Sequence, residues 1–122
     1  MDNKQLAVAF LELVVARKID EAYAKYVDMK GKHHNVYFPA GFSALRQGMI
    51  DAHTQFPNTQ LSIKHVISEG DLVAVHSHVM HKPGDAGVSV VHLFRIKKNK
   101  IVEMWDVGQQ LPDKLLNKDG AF

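Results

Sequence analysis

An α+β fold, with three helices followed by a strongly curved antiparallel sheet, is predicted by three features of this 122-residue sequence. Apolar residues recur at helical spacing through the first part of the chain, Pro57 closes that part, and from residue 60 the pattern becomes runs rich in Val and Ile. Only short separators divide those runs, which makes them an antiparallel meander.

Taken in order, Leu6, Phe10, Leu13 and Val14 define an amphipathic helix reaching about Lys18, with Asp2 or Asn3 able to accept its first free N–H groups. Asp20 can cap a second helix whose face is Ala22, Tyr23, Tyr26 and Val27, with Gly31 ending it. The third runs from Ser43 to Phe56 through Leu45, Met49 and Ala52, and Pro57 turns Phe56 away from helical angles. Four strands follow at 60–68, 71–81, 87–97 and 100–109, divided by Glu69-Gly70, by Lys82-Pro83-Gly84-Asp85 and by Lys98-Asn99. Both faces of the second strand are apolar, with Val73, Val75 and Val79 on one and Leu72, Ala74 and Met80 on the other. One face is therefore expected to meet the helices and the other a second copy, giving a homodimer through the outer sheet face.

Composition narrows the class. A chain of this length makes one domain over residues 1–122, and 46% apolar with 23% charged residues is the balance of a globular protein rather than a disordered one. The net charge of +2 is too small to imply nucleic acid, and Lys97-Lys98-Asn99-Lys100 reads as a solvated hairpin tip. Glu12, Arg17 and Lys18 interrupt the N-terminal apolar stretch, so neither a signal peptide nor a membrane partner is expected. Without cysteine there is no disulfide framework or thiolate metal site, in keeping with a cytoplasmic protein.

The chemistry concentrates in "GDLVAVHSHVMH", Gly70 to His81, in a chain with eight histidines. Alternation puts His76 and His78 on one strand face. If the next loop closes symmetrically, Met80 pairs with Val88, His76 lies opposite His92, and His78 lies opposite Val90, so three imidazoles share a face. The last hairpin has two registers. One brings Asp106 to the histidine face, where its neighbours Val102 and Met104 keep water away, as a general base requires; a one-residue slip brings Trp105 there instead. Asn99 suits either a two-residue turn or a longer one with a bulge. His53, His65 and His81 read as a helix flank, a strand residue and a loop edge, and Trp105 as core or interface unless the slip brings it inside. A metal reading also exists, because Gly70-x5-His76-x-His78 opens the cupin metal motif. Lys82 and Pro83 stand where that motif needs a glutamate, although His76, His78, His92 and Asp106 could still ligate a divalent ion.

Nearly the whole chain resembles the SnoaL-like polyketide cyclases of the nuclear-transport-factor-2-like superfamily. The residues that carry the resemblance are His33-His34-Asn35 with Tyr37-Phe38, "GDLVAVHSHV" from Gly70, "VVHLFRI" from Val90, "KIVEMWDVGQ" from Lys100 and "NKDGAF" from Asn117. One departure is Val36, where relatives carry proline after His-Asn at a first short strand. The resemblance implies a cone of curved sheet closed by helices, usually dimeric, with a pocket inside it. It also implies Asp106 as acid/base in an aldol-type reaction without metal or organic cofactor, assisted by His92, with His34 and Asn35 at the pocket mouth and His76 and His78 on its wall. Pocket shape is then expected from Phe38, Phe42, Met49, Phe94 and Met104.

Three functions follow as expectations. The first is a cofactor-independent cyclase, lyase or isomerase acting on a small carbonyl compound. The second is a noncatalytic binder of a small molecule in the same pocket, and the third is a His/Asp metal protein.

Overall fold

The computed structural model describes all 122 residues. Helix α1 spans Asn3–Val15, α2 Ile19–Tyr26 and α3 Phe42–Gln55; the strands are β1 Val27–His33, β2 Gln60–Glu69, β3 Leu72–Met80, β4 Val88–Lys97 and β5 Lys100–Gln110. They form one sheet in the order β1-β5-β4-β3-β2, antiparallel except that β1 runs parallel to β5.

The α+β plan and the four-strand meander are as expected, and a fifth strand is added. The second helix stops at Tyr26 instead of continuing to Gly31, because Val27 turns extended and pairs with Ile101. Gly31 is thus no helix terminator. It lies inside β1 against the Val102 carbonyl and the Phe42 ring, so close that a Cβ there would collide with both. Nor does Asp20 cap α2; it pairs with Arg46 at 3.3 Å. At α1 the expectation holds in detail, since Asp2 accepts from the Gln5 N–H while the Gln5 side chain accepts from the Asp2 N–H, both at 2.8 Å.

The helices cover half of the inner sheet face. Leu6, Phe10, Tyr23, Phe42 and Leu45 bury themselves against Val73, Val75, Phe94, Ile101 and Met104. Edge-on ring contacts link Phe94 to Phe10 at 5.8 Å, Phe10 to Tyr23 at 5.4 Å and Tyr23 to Phe42 at 6.3 Å. The rest of the inner face is left open, and the site lies there.

Candidate active site

Two local devices decide which side chains reach that open half. The turn between β4 and β5 is tight, with Lys98 at φ 52° and Asn99 at φ 62°, the paired positive angles of a two-residue hairpin turn. A ladder continuing unbroken from Lys97 opposite Lys100 would set Trp105 opposite His92. The ladder slips instead: Ile96 faces Ile101 but Arg95 faces Glu103, so Val102 is an extra residue that bulges. That bulge turns Met104 and Asp106 inward, with Asp106 opposite His92, and sends Trp105 outward.

The other device corrects the expected pairing of β3 with β4. Met80 does not face Val88; Val79 does, and Ser77 faces Val90 while Val75 faces His92. Gly87, at φ 80°, brings bare backbone against the Val79 carbonyl, and the His78 Nε2 pairs with the Ala86 carbonyl at 2.7 Å. These contacts close the loop one residue away from symmetry. Every β3 side chain therefore takes the face opposite to that expected, and His76 and His78 point outward, away from His92.

The inner face then bounds a cavity of about 450 Å³. Val79, Val88, Val90, His92, Asp106 and Gly108 come from the sheet, Asn35, Val36, Tyr37 and Phe38 from the segment after β1, and His81 from the end of β3. Asn35 donates its amide Nδ2–H to Asp106 Oδ2 at 2.8 Å and accepts from the Tyr37 N–H at 2.9 Å. The segment is anchored further by buried His33, whose Nδ1 accepts from the Asn35 N–H at 3.1 Å and whose Nε2 therefore donates to the Pro39 carbonyl at 2.8 Å. Phe38 lies on Gly48 of α3, where any larger residue would displace its ring.

Burial holds the His92 imidazole below the ordinary histidine range, and the Asp106 carboxylate opposes that shift without cancelling it. His92 is accordingly neutral near pH 7, and no protein group reaches its buried Nδ1. Deeper in the core, burial pushes the Tyr23 phenol strongly up; its hydroxyl lies 3.2 Å from the Met49 sulfur and feels both Arg46 and Asp106.

Of the residues singled out from sequence, Asp106, His92, Asn35 and Phe38 line one cavity. The others do not. Met104, with Phe42 and Phe94, is buried in the core. His34 stacks on Trp105 at 5.0 Å outside the sheet and meets Glu103 Oε2 at 2.6 Å. His76 and His78 pack against Phe122 on the outer face, at ring distances of 5.3 and 4.7 Å. His81 was set aside in the sequence yet enters the cavity. Its signal was alternation: it stands two residues beyond Val79 and shares that inner parity.

Fold and site together define a class: a curved sheet closed by helices, with an acidic group in the wall of a cavity on its inner face. Among solved structures the chain is similar to a cystatin-fold protein from Novosphingobium aromaticivorans, with 22% identity, a TM-score of 0.72, and coverage of 88% of this chain and 98% of that one. It is also similar to a SnoaL-like protein of unknown function from Burkholderia thailandensis, at 13% identity and TM-score 0.72 over 86% and 92% of the two chains. A third is IdmH from Streptomyces antibioticus, proposed to be a polyketide cyclase, at 16% identity and TM-score 0.69 over 88% and 92%. No curated protein matches by sequence. The SnoaL-like domain family matches residues 7–104, and the chain belongs to that family. No helix is long and apolar enough to cross a membrane.

Proposed function

We propose that this chain is a cofactor-independent acid/base enzyme, a cyclase, lyase or isomerase, acting on a small carbonyl compound, with Asp106 as its base. The observation that carries the reading is the carboxylate itself: it lines a largely apolar cavity, one oxygen is held by the Asn35 amide, and the neutral imidazole of His92 stands opposite on the next strand. The other oxygen of Asp106 takes a proton from the carbon next to the carbonyl, and the C–H electron pair moves into an enolate. That enolate either attacks a second carbonyl, forming a carbon–carbon bond, or is reprotonated at another carbon. His92 donates to the enolate oxygen from Nε2, the ring nitrogen that is not buried, and the apolar walls strengthen that bond.

Exchange of α-hydrogen for deuterium in a panel of aryl methyl ketones tests the reading. Wild type should accelerate exchange, and Asp106→Asn should lower the rate by about 10²–10⁴-fold with ketone affinity retained. Ketones that bind without exchange in either protein would instead mark a noncatalytic binder.

The reading includes a homodimer through the outer sheet face, supported by Ile67 and Val107, which are 65% and 67% exposed on that face. Sedimentation at micromolar concentration should give twice the chain mass; a monomer throughout would remove this part. A cytoplasmic location is in keeping with a chain that has no cysteine.

A further inference from the structure

Apart from the Asp106 cavity, the helices form a second recess of about 390 Å³, where the α1–α2 junction meets the end of α3. Arg17, Lys18, Asp20, Glu21, Ile50 and His53 line it. Its charges do not balance. Asp20 Oδ1 is held by Arg46 at 3.3 Å and Glu21 Oε1 by Lys25 at 3.4 Å, while Arg17 and Lys18 enter no ion pair.

Arg17 also stands where the backbone favours another residue. It follows α1 at φ 68°, the left-handed angle at which glycine is free and a side chain is strained, and N–H bonds from Arg17 to the Val14 carbonyl and from Lys18 to the Leu13 carbonyl, both 2.9 Å, hold it there. The other two non-glycine residues at such angles make the Lys98-Asn99 hairpin turn. Glycine at position 17 would suit the chain better and carry no guanidinium.

Two solvated cations alone bind little; the group between them and the core decides. His53 is only 9% exposed, and its Nδ1 is buried without a partner. A hydrogen on Nδ1 would have no acceptor, so the neutral ring carries it on Nε2, the nitrogen that is neither buried nor paired. Thr54, beside it, donates its hydroxyl to the Ile50 carbonyl at 3.1 Å. The open side chains on the cationic side of the recess are thus donors: a guanidinium fork, an ammonium and an imidazole N–H. Their complement is an anion of acceptor oxygens, and a fork that takes two oxygens while the other donors take further ones fits a phosphoryl group better than a carboxylate.

We infer that this recess is a second ligand site, which binds a phosphoryl group through Arg17, Lys18 and His53, as free phosphate or as the phosphate of a small ester. It is independent of the reaction proposed at Asp106.

Inorganic phosphate and phenyl phosphate, each titrated into the purified full chain at constant ionic strength made up with chloride, separate the two sources. The ligand should shift the His53 Nε2 resonance saturably while His92 stays fixed. Phenyl phosphate bound about tenfold more tightly than inorganic phosphate marks an ester site, with the phenyl ring against Ile50; equal affinities mark a site for the free ion. Arg17→Gly removes the guanidinium and relieves the backbone, so it should weaken binding about tenfold or more while the thermal midpoint holds or rises. Lys18→Gln should weaken binding about threefold. No saturable shift in wild type, a shift that chloride alone reproduces, or binding that survives Arg17→Gly would overturn the site. A midpoint that falls together with binding in Arg17→Gly would make Arg17 a structural residue and overturn its role as a ligand. None of these outcomes bears on hydrogen exchange at Asp106.

Discussion

On the outer face of the sheet His34, His65, His76 and His78 all find partners within the protein, whereas on the inner face His92 and His81 each keep a buried Nδ1 that no protein group reaches. Outside, His65 Nδ1 lies 3.0 Å from His76 Nδ1, His76 Nε2 lies 3.0 Å from Ser89 Oγ, and His78 and His34 pair with Ala86 and Glu103. Residue type alone does not separate these groups. A histidine whose ring nitrogens are paired within its own fold has little left to offer a ligand, while one that lines the cavity with Nε2 unpaired does. His53 bounds the lesson: its Nδ1 is also unpartnered, but it faces a separate recess by Arg17 and Thr54, away from Asp106.

The comparison breaks most decisively at His92. His92→Gln should lower α-hydrogen exchange by about 10²-fold, the low end of what one positioned acid/base group contributes, while His76→Gln stays within twofold of wild type. Equal losses would mean that the two faces are not functionally distinct. A smaller effect is expected at the segment that closes the mouth. Asn35→Leu removes the bond to Asp106 Oδ2, and should reduce kcat for exchange about tenfold with KM for the ketone within twofold. A loss carried by KM alone would make Asn35 a packing residue only.

Stability against pH sharpens the same contrast. Burial lowers the pKa of His92, opposed by Asp106, and lowers that of His53, with Arg17 and His81 adding to the effect. Both rings are neutral in the fold and bind protons more readily once unfolded. Their contribution is therefore complete above the ordinary histidine value of 6.5 and is lost as pH falls below it. The thermal midpoint should drop between pH 7.5 and 5.5, and His53→Gln should flatten part of that drop if the variant folds. A midpoint that rises over this interval would contradict the assignment.

The helices and the meander were legible because they depend on periodicity, and Leu6, Phe10 and Val14 or Val73 and Val75 express their faces plainly. β1 was not. It is an edge strand in which only Val27 and His33 are buried, so Val27–His33 carries no alternation to read, and its glycine reads equally well as a helix stop. The pairing of Asp106 with His92 was one of two readable registers, and the bulged Val102 selects it. The placing of His76 and His78 failed for a related reason. A strand states which residues share a face, but not which face is inside, and that choice was made by Gly87 and the loop beneath β3. His81 was lost with it, since its inward parity becomes visible only once Val79 is known to point in.

The smallest effect is predicted at His34, and it tests the comparison at its narrowest point. His34 and Asn35 are adjacent, yet one side chain stacks on Trp105 outside the sheet and the other bonds to Asp106 within. The His34 hydrogen bond is the largest influence holding the Glu103 carboxyl below 4.5; burial opposes it, while Arg95 and Lys32 add to it. His34→Ala should let Glu103 rise toward 4.5 in an NMR titration, and should shift the thermal midpoint by at most a few degrees, since Arg95 still pairs with both Glu103 and Asp71. Exchange activity and the His92 resonances should not move. If they did, a change confined to the outer face would have reached Asp106 through one peptide unit, and the segment from His33 to Phe38 would have to be counted as part of the catalytic apparatus rather than as the cover of its cavity.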